Sequence, residues 1–419
     1  MEKTIALIGA GQRGKDVYAE YIYHSKNLKI SAVAEPNICR REFIKNRFKL
    51  DDSMCFNDWK ELLKQPKLAD AVIISTNDDM HYEPVIQALR KDYHIYLEKP
   101  ITNRKEELLK LKDYATVYCE KIFMVAHVLR YTSFINKIKE IIDSGVMGQL
   151  ISIQHNENIG YFHMAHSFVR GNWRNSAETS PLILAKSCHD MDLLLYLINS
   201  KCKKISSFGN LSYFKKENAP DSSGERCTLC NAEEKCPYSA LKIYSNKLGE
   251  WPATAVSEKT KSPDFLQELE TGQYGKCVFK TDNNVVDHQV CIMEFCNGVT
   301  ATFNLSGFTH EISRTIKIMG TCGEIRGDMD NNKITFYKFL DDSSHHINLD
   351  IDSEILDSHS GGDYHIMKNF EEMLCTGKIA SRTSLQNSIE SHIMAMAAEE
   401  SRLNDKVIFL ISEDRYEKD

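Results

Sequence analysis

The stretch Lys3-Thr-Ile-Ala-Leu-Ile-Gly-Ala-Gly-Gln-Arg-Gly14 decides the fold of this chain. Residues 4–8 form an apolar run that is typical of a strand buried on both faces of a parallel sheet. The glycines that follow have the spacing Gly-x-Gly-x-x-Gly, which permits a tight turn, close approach of the backbone to a pyrophosphate, and close packing of the next helix. A helix over 15–23 then aims its N-terminal amides at the phosphates. The stretch therefore predicts a dinucleotide-binding βα unit.

An acidic residue follows the second predicted strand, which spans residues 30–34 and ends at Glu35. Glu35 lies about twenty residues past the last glycine, where a carboxylate binds the adenosine ribose hydroxyls. A carboxylate there repels a 2′-phosphate, so NAD is favoured over NADP, although Arg40 and Arg41 follow closely and argue the other way. The alternative is an ordinary surface glutamate at the end of a strand.

Composition narrows the class of protein before any further motif is considered. With 419 residues, the chain is long enough for two domains. A net charge of −7 argues against a nucleic-acid or anionic-membrane partner. The apolar runs are shorter than a membrane span, and a strand at residue 4 leaves no room for a signal peptide, so we expect a cytoplasmic protein.

Strands and helices alternate through residues 1–126, with further strands predicted at 69–75, 94–97 and 121–126. Thr76 and Asn77 follow one of these strands, at the edge of the sheet where α/β proteins bind ligands. The helix after the 94–97 strand is predicted to be capped by Thr102 or Asn103. The complete set of predicted cofactor-binding residues is Gly9, Gly11, Gln12, Arg13, Gly14, Glu35, Thr76, Asn77, His81 and Glu98.

The motif Glu98-Lys99-Pro100 ends the 94–97 strand directly at the predicted cofactor edge. Pro100 restricts Lys99 to an extended conformation, from which the ammonium group can hydrogen-bond a substrate hydroxyl. The alternative is a solvated surface lysine.

Three motifs together, Gly9–Gly14, Ala34-Glu35-Pro36 and Glu98-Lys99-Pro100, resemble the Gfo/Idh/MocA family. The resemblance implies an NAD(P)-dependent oxidoreductase acting on sugars or inositols, with Lys99 as a catalytic-site lysine. It also implies that a second domain covers the cofactor with one face of a large sheet and makes dimer contacts. A homodimer or homotetramer is therefore expected.

Alternating apolar patterns predict that second domain over residues 127–419, with strands at 150–155, 290–295, 299–305 and 315–319. A last amphipathic helix is predicted over 384–403. The expected fold class is α/β: an N-terminal Rossmann-type doubly wound parallel sheet in 1–126, followed by an α+β domain with a large, mostly antiparallel sheet.

Residues His189 and Asp192 are three apart on a predicted helix and share one of its faces. The resemblance implies that His189 is the general acid/base beside the substrate carbinol, and a histidine can take a proton as hydride leaves. The alternative is a structural histidine paired with Asp192. Many family dehydrogenases have an aspartate four residues before this histidine, whereas this chain has Ala185 followed by Lys186.

Polar and aromatic side chains around these motifs are candidates for substrate binding. The segment 161–173, which contains His163 and His166, is interpreted either as a pocket lining or as a surface loop with a buried tryptophan. Glycines in the segment His359–Asp363 allow close approach to a ligand. The predicted substrate-binding residues are Arg130, Arg170, Trp173, Lys186 and Asp192.

Three of the thirteen cysteines lie close together at Cys227, Cys230 and Cys236, inside a loop-rich insertion over about 215–250. Cys-x-x-Cys followed by a third cysteine is a metal-knuckle spacing. We predict a structural zinc site with Cys202 as the fourth ligand; free thiols and a redox pair are the alternatives.

Three functions remain open on the sequence. The first is NAD-dependent hydride transfer to or from a hydroxyl of a sugar-like or inositol-like substrate. The second is a glycosidase or an anhydro-sugar lyase or hydratase that uses transient oxidation by NAD with no net redox change. The third is a non-catalytic NAD-binding protein, which the presence of Lys99 and His189 disfavours.

Overall fold

Two β-sheets form the framework of the computed structural model, which describes residues 2–257, 262–349 and 360–411. The predicted ligand-contacting position His359 lies outside the described residues. In chain order the strands are β1 (Lys3–Ile8), β2 (Leu28–Ala34), β3 (Cys55–Phe56), β4 (Ala71–Ile74), β5 (His94–Leu97), β6 (Phe123–Val125), β7 (Leu150–Asn158), β8 (Cys202–Asn210), β9 (His288–Phe295), β10 (Thr300–Ser306), β11 (Ser313–Gly320), β12 (Gly323–Asp328), β13 (Lys333–Lys338), β14 (Ser343–Asn348) and β15 (Ile408–Phe409).

The helices connect and cover these sheets, and a π-helical segment over Arg13–Ala19 leads directly into the first of them. None of the helices in the described part of the chain is long and apolar enough to cross a membrane. In chain order they are α1 (Glu20–His24), α2 (Ile38–Phe48), α3 (Trp59–Lys64), α4 (Tyr82–Arg90), α5 (Lys105–Val117), α6 (Ser133–Asp143), α7 (Tyr161–His163), α8 (Leu182–Ala185), α9 (Cys188–Ile198), α10 (Ala240–Ser245), α11 (Ala253–Val256), α12 (Ser262–Thr271), α13 (Gly362–Thr376) and α14 (Leu385–Asn404).

The first sheet has six parallel strands in the order β3-β2-β1-β4-β5-β6. Its central strand β1 is buried along residues 5–8, because helices cover both faces of a doubly wound sheet. The chain adds strands on one side of β1 and then on the other, so a crevice forms at the carboxyl ends of β1 and β4. The Rossmann-type prediction is confirmed.

The second sheet has nine strands in the order β14-β13-β12-β11-β7-β10-β9-β8-β15. All neighbours are antiparallel except β7 and β10. Along β10 buried and exposed residues alternate, which means that one face of the sheet packs on helices and the other lies open. The prediction of a mostly antiparallel second sheet is also confirmed.

Two local predictions differ from the structure. Helix α5 has Arg104 at its N-cap, which makes no side-chain cap, while the Thr102 hydroxyl accepts from the amide of Arg104 at 3.2 Å and donates to Glu107 at 2.5 Å. The prediction of Thr102 or Asn103 as the cap is therefore wrong. The two-residue strand β3 was not predicted, since two residues are too short to show an alternating pattern.

Helix α14 packs against both sheets. Its residues Leu385 and Ile389 belong to the core of the first sheet, whereas Met394 and Ala398 belong to the larger core that includes the second sheet. The predicted domain boundary at residue 126 stays a prediction. Helix α14, near the C-terminal end of the described chain, returns to pack on the first sheet, so the first domain also contains residues beyond this boundary.

The buried ring of His392 fixes α14 to the segment that follows Glu98-Lys99-Pro100. The amide of Ile101 donates to Nε2 of His392 at 2.9 Å, and Nδ1 lies 2.9 Å from the carbonyl oxygen of Ser388. An amide only donates, so Nε2 holds its lone pair and the ring is neutral. Burial, reinforced by His127 and Lys99 and opposed by Asp192, lowers the pKa of His392 to about 3.

This neutral ring makes folding sensitive to acid. An unfolded histidine takes up a proton below a pH of about 6.5, whereas His392 in the folded chain does so only near pH 3. The unfolded state binds more protons between these values, so stability falls as pH falls through that window, by about 1.4 kcal/mol per pH unit for one ring. We expect His392→Gln to reduce the slope of unfolding free energy against pH by this amount, measured by urea denaturation between pH 6 and pH 4.

The exposed residue His24 provides the matched control, and His24→Gln should leave the slope unchanged. An unchanged slope in His392→Gln would show that the His392 ring is already protonated in the folded protein.

Candidate active site

A cleft of about 530 Å³ lies at the carboxyl edge of the first sheet. The first domain contributes the glycine loop, the residues after β4 and the Glu98-Lys99 pair. The second domain contributes His189 and a set of aromatic and polar side chains. These second-domain residues include His166, Asn172, Trp173, Trp251 and Tyr274.

The glycine loop is shaped by two close backbone contacts and one open position. Gly9 has φ +87°, and a Cβ there would lie 2.7 Å from the carbonyl oxygen of Ser75. A Cβ on Gly14 would lie 2.1 Å from the carbonyl oxygen of Gly9. At Gly11 a Cβ would meet no protein atom within 4 Å, so this residue leaves its backbone open to a ligand.

Arg13 joins the glycine loop to both domains. Its Nε donates to Glu98 at 2.6 Å, and its Nη1 and Nη2 donate to the two carboxylate oxygens of Asp363 at 3.0 and 2.6 Å. Tyr18 also donates its hydroxyl to Glu98. Burial raises the pKa of Glu98, but Arg13 and these hydrogen bonds outweigh burial, and the pKa lies below its ordinary value. Glu98 is therefore a charged anchor for Arg13.

Asp363 is the described end of the glycine-containing segment that was expected to approach a ligand. It lies at the start of α13 and is 1% exposed. The structure brings it to the glycine loop through Arg13, 350 residues away in the sequence. Asp363 is therefore connected to the cleft through its ion pair with the guanidinium group of Arg13.

Glu35 lies behind the loop and is absent from the residues that line the cleft. Its carboxylate accepts from the amides of Ala10 at 2.6 Å and Asn37 at 2.9 Å. Arg40 does line the cleft at this end, whereas Arg41 donates to the carbonyl oxygen of Glu35. Contact between Glu35 and a ribose stays a prediction.

His81 does not line the cleft, and its predicted contact with the cofactor stays a prediction. This residue is fully buried, and its ring bridges two backbone segments. Nδ1 lies 2.6 Å from the carbonyl oxygen of Pro100, and Nε2 lies 3.1 Å from that of Thr76. His81 therefore positions the Glu98-Lys99-Pro100 turn against the strand end that supplies Thr76 and Asn77.

Lys99 and His189 both line the cleft, as predicted from their motifs. The ammonium group of Lys99 donates to the carbonyl oxygen of Ala185 at 2.8 Å. A backbone oxygen of Ala185 thus contacts the lysine, although this position has no side-chain carboxylate. His189 is 4% exposed, and its ring centroid lies 5.6 Å from that of His127.

The predicted substrate contacts of Arg130 and Asp192 stay predictions, and in the structure the two side chains pair with each other. The Nε and Nη2 atoms of Arg130 donate to the two carboxylate oxygens of Asp192, each at 2.6 Å. Both side chains are buried, and neither lines the cleft. Asp192 is thereby paired with Arg130, and a structural pairing of His189 with Asp192 stays an alternative prediction.

Of two other predicted substrate residues, Trp173 lines the cleft and Lys186 does not. The indole Nε1 of Trp173 donates to Asp78 at 3.2 Å. The Nζ atom of Lys186 lies 3.2 Å from a carboxylate oxygen of Glu157 behind the cleft wall. Burial lowers the pKa of Lys186, and Glu157 opposes this shift. Contact of Lys186 with substrate stays a prediction.

Arg170 ends the helical segment Met164–Arg170 and contacts the cysteine-containing insertion, so its predicted contact with substrate stays a prediction. Its Nε donates to the carbonyl oxygen of Lys276 at 2.7 Å. Its Nη2 donates to the carbonyl oxygen of Tyr238 at 2.7 Å and to the sulfur of Cys227 at 3.4 Å. The residue is 0% exposed.

The predicted ligand set with Cys202 is wrong. Cys202 begins β8, where its thiol faces the carbonyl oxygens of Lys204 and Glu294. The other three cysteines line a separate void within the insertion. Over residues 2–257, 262–349 and 360–411, no group of three or more His, Cys, Asp or Glu side chains is arranged as metal ligands.

Trp251 and Tyr274 in the aromatic wall of the cleft were not predicted, whereas His166 and Trp173 belong to the segment 161–173 that was offered as a pocket lining. The ring of His166 stacks on Tyr274 with centroids 4.8 Å apart and meets Trp251 edge-on at 5.6 Å. Burial, together with Arg170, lowers the pKa of His166 to about 3, so this wall of the cleft is uncharged. The only sign of Trp251 and Tyr274 in the sequence is that aromatic residues follow the cysteine motif closely.

Comparison with known proteins agrees with this architecture. Residues 3–127 match the oxidoreductase family NAD-binding Rossmann fold, and residues 139–409 match the C-terminal alpha/beta domain of the same family. The structure is also similar to a levoglucosan dehydrogenase solved with NADH and levoglucosan, with a TM-score of 0.72, 16% identity, and 98% and 100% of the two chains covered.

Curated relatives match over part of their length. The putative oxidoreductase YteT of Bacillus subtilis is 25% identical over 62% of this chain and 60% of its own length. The 2,7-anhydro-N-acetylneuraminate hydratase of Escherichia coli is 26% identical, over 49% of this chain and 53% of its own length. The scyllo-inositol 2-dehydrogenase of Bacillus subtilis is 27% identical, over 49% and 57%.

The chain thus spans between half and two thirds of the length of these relatives. The two family domains together extend over nearly all of the chain, from residue 3 to residue 409. The chain belongs to the Gfo/Idh/MocA family of oxidoreductases.

Proposed function

We propose that this protein is an NAD-dependent oxidoreductase that transfers hydride between the nicotinamide and a carbinol of a sugar-like or inositol-like substrate. The observation that carries the proposal is that Lys99 and His189 line the same cleft as Gly11. The names of relatives support the substrate class, since two of them are an inositol 2-dehydrogenase and a glucose-6-phosphate 3-dehydrogenase.

The residues at the glycine loop fit a dinucleotide. The open position at Gly11 gives the pyrophosphate access to backbone amides at the start of the Arg13–Ala19 helical segment, where the helix dipole favours negative charge. Thr76 and Asn77 border the next part of the cleft. The Glu35 carboxylate keeps lone pairs that Ala10 and Asn37 leave unused, and we assign these to the ribose hydroxyls of the cofactor.

Lys99 serves as the hydrogen-bond donor to the reacting oxygen. An ammonium group has three N–H donors, and Ala185 takes one of them, which leaves two for a substrate hydroxyl. As hydride leaves the carbinol carbon, negative charge grows on its oxygen, and a fixed cation in a desolvated cleft stabilises that charge. A bound nicotinamide supplies the hydride acceptor.

His189 serves as the general base for oxidation and as the general acid for the reverse reaction. Its position in the cleft beside Lys99 allows one group to polarise the hydroxyl while the other removes its proton. Around these two residues, the aromatic side chains of Trp173, Trp251 and Tyr274 provide apolar walls that suit the C–H faces of a sugar ring.

A second candidate function is NAD-assisted elimination and hydration with no net redox change. Ala185 in place of the aspartate found in many family dehydrogenases favours it, as do two relatives named 2,7-anhydro-N-acetylneuraminate hydratase. The same Lys99 and His189 would move the protons. Turnover of an anhydro sugar without accumulation of NADH would identify this reaction, whereas NADH formed in step with product would identify the dehydrogenase.

We also propose that the protein is a cytoplasmic homo-oligomer that associates through the open face of the second sheet. Phe208 on β8 and Ile292 on β9 are 56% and 53% exposed on this face. Their strands pair directly, with Ile292 opposite Ser206, so both side chains point to the same side. Two large apolar side chains on one open sheet face are typical of a contact surface.

The catalytic roles predict a specific loss of turnover. Lys99→Met removes the donor and His189→Ala removes the base, and we expect each to lower kcat by about 10²–10⁴-fold. The assay follows NADH and product over a panel of inositols, sugars and anhydro sugars, and NAD binding is measured separately by fluorescence.

Lys110→Met, at an exposed position of α5, and His24→Ala are the matched controls and should retain activity. Full turnover in Lys99→Met and His189→Ala would refute the proposed mechanism. If either variant lost NAD binding, its lower turnover would be due to weaker cofactor binding and not to loss of a catalytic group.

Cofactor preference gives a second prediction. We expect NAD to bind more tightly than NADP, because the Glu35 carboxylate repels a 2′-phosphate. Arg40 lines the cleft at this end together with Lys15, and Arg40→Ala should weaken residual NADP binding by about tenfold and leave NAD binding nearly unchanged. Titration calorimetry measures both constants.

Arg90→Ala, at the exposed end of α4, is the control. Tighter binding of NADP than of NAD to the unaltered protein would contradict the assignment of Glu35.

The proposed association predicts a mass in solution above that of one chain. Replacing Phe208 and Ile292 together by lysine should shift the protein toward the monomer, because the charges cannot be buried in an apolar contact. Light scattering after size exclusion measures the change. Phe339→Lys, at an apolar residue that is likewise 56% exposed, is the control, and an unchanged mass in the double variant would rule out this face.

A further inference from the structure

Four cysteines surround one small void in the segment between β8 and β9. Cys227, Cys230, Cys236 and Cys277 all line it, and the first three are the cluster seen in the sequence. The void has a volume of about 20 Å³, which is room for one particle the size of a water molecule. Cys277 is therefore the fourth member of the cluster.

The backbone brings these four residues together. An isolated antiparallel bridge joins Arg226 to Lys276, and the amide of Cys277 donates to the carbonyl oxygen of Glu225 at 2.9 Å, so Cys227 and Cys277 are diagonal neighbours on one face of the pair. Two short 3₁₀ turns, Cys227–Leu229 and Glu233–Lys235, then lead into Cys230 and Cys236. The grouping is thus built by hydrogen-bonded turns of the chain.

Several N–H groups point at the sulfur atoms. The amide of Ala240 donates to Cys227 at 3.4 Å, and the amide of Gly224 donates to Cys230 at 3.3 Å. Arg170 also donates to Cys227, at 3.4 Å. A neutral thiol is a weak acceptor, whereas a thiolate, which is the metal-binding form of cysteine, accepts such bonds well.

Arg170 brings an uncompensated positive charge to the same void. It is fully buried and lines the void. Its Nη1 has no hydrogen-bond acceptor among the described residues, and none of their carboxylates forms an ion pair with it. A buried charge without a counter-charge is costly. A divalent ion held by four thiolates has a net charge of −2 and supplies that counter-charge.

We propose that Cys227, Cys230, Cys236 and Cys277 bind one Zn²⁺ ion. Since the side chains are not already arranged as ligands, the thiols turn toward the void on binding, and four protons pass to solvent as four Zn–S bonds form. Tetrahedral sulfur coordination suits zinc, and the size of the void fits a single ion rather than an iron–sulfur cluster.

The site has a direct connection to the wall of the cleft. Arg170 ends the helical segment Met164–Arg170, which also contains the cleft residue His166. On the other side of the void, Lys276 follows Tyr274 by two residues and accepts from Arg170. The metal thereby holds together the two segments that supply the stacked His166 and Tyr274 rings.

Metal analysis of the full-length protein tests the proposal. After expression in zinc-containing medium and gel filtration, elemental analysis should find about one zinc per chain. Cys277→Ser should lose nearly all of it. Cys202→Ser, which removes a buried cysteine outside the cluster, should retain it.

A spectroscopic test on the unaltered protein is independent of whether the variants fold. Metal-free protein titrated with Co²⁺ should develop the intense visible bands of tetrahedral cobalt thiolate, saturating at about one ion per chain. Full zinc content in Cys277→Ser, iron with inorganic sulfide in the purified protein, or the absence of the cobalt bands would each overturn the proposal.

Discussion

The packing of Gly14 against Gly9 is the contact on which the rest of the cleft depends. The carbonyl oxygen of Gly9 occupies the space where any other residue at position 14 would place its Cβ. This contact sets where the Arg13–Ala19 helical segment starts relative to β1, and hence where Arg13 projects. From there one guanidinium group reaches Glu98 at the end of β5 and Asp363 at the start of α13. The close contact between Gly9 and Gly14 thus positions Arg13 to form ion pairs with both Glu98 and Asp363.

The residues around Lys99 illustrate a second use of backbone groups. His81 bridges two carbonyl oxygens to fix the Glu98-Lys99-Pro100 turn, and the carbonyl oxygen of Ala185 holds the ammonium group. None of these acceptors titrates, so the lysine is oriented without an additional carboxylate in the cleft. Arg130 and Asp192 neutralise each other deeper in the core.

Local motifs allowed much of the fold to be predicted, because strands such as β1 and the glycine turn are decided by neighbouring residues. The roles of single polar residues were harder to predict. Arg130, Arg170 and Asp192 have the residue types of a substrate site, yet their partners lie 57 or more positions away in the sequence. The choice between Cys202 and Cys277 could not be predicted for the same reason. The spacing identified Cys227, Cys230 and Cys236, but the Arg226–Lys276 bridge determines which distant cysteine lies beside them.

The return of α14 to the first sheet has a consequence for synthesis on the ribosome. The N-terminal domain emerges first, yet the surface that receives Leu385 and Ile389 stays uncovered, and Arg13 lacks Asp363. The nucleotide-binding half is therefore translated long before it can reach its final form. Until α14 has left the exit tunnel, the apolar surface that Leu385 and Ile389 cover in the folded protein is exposed to solvent.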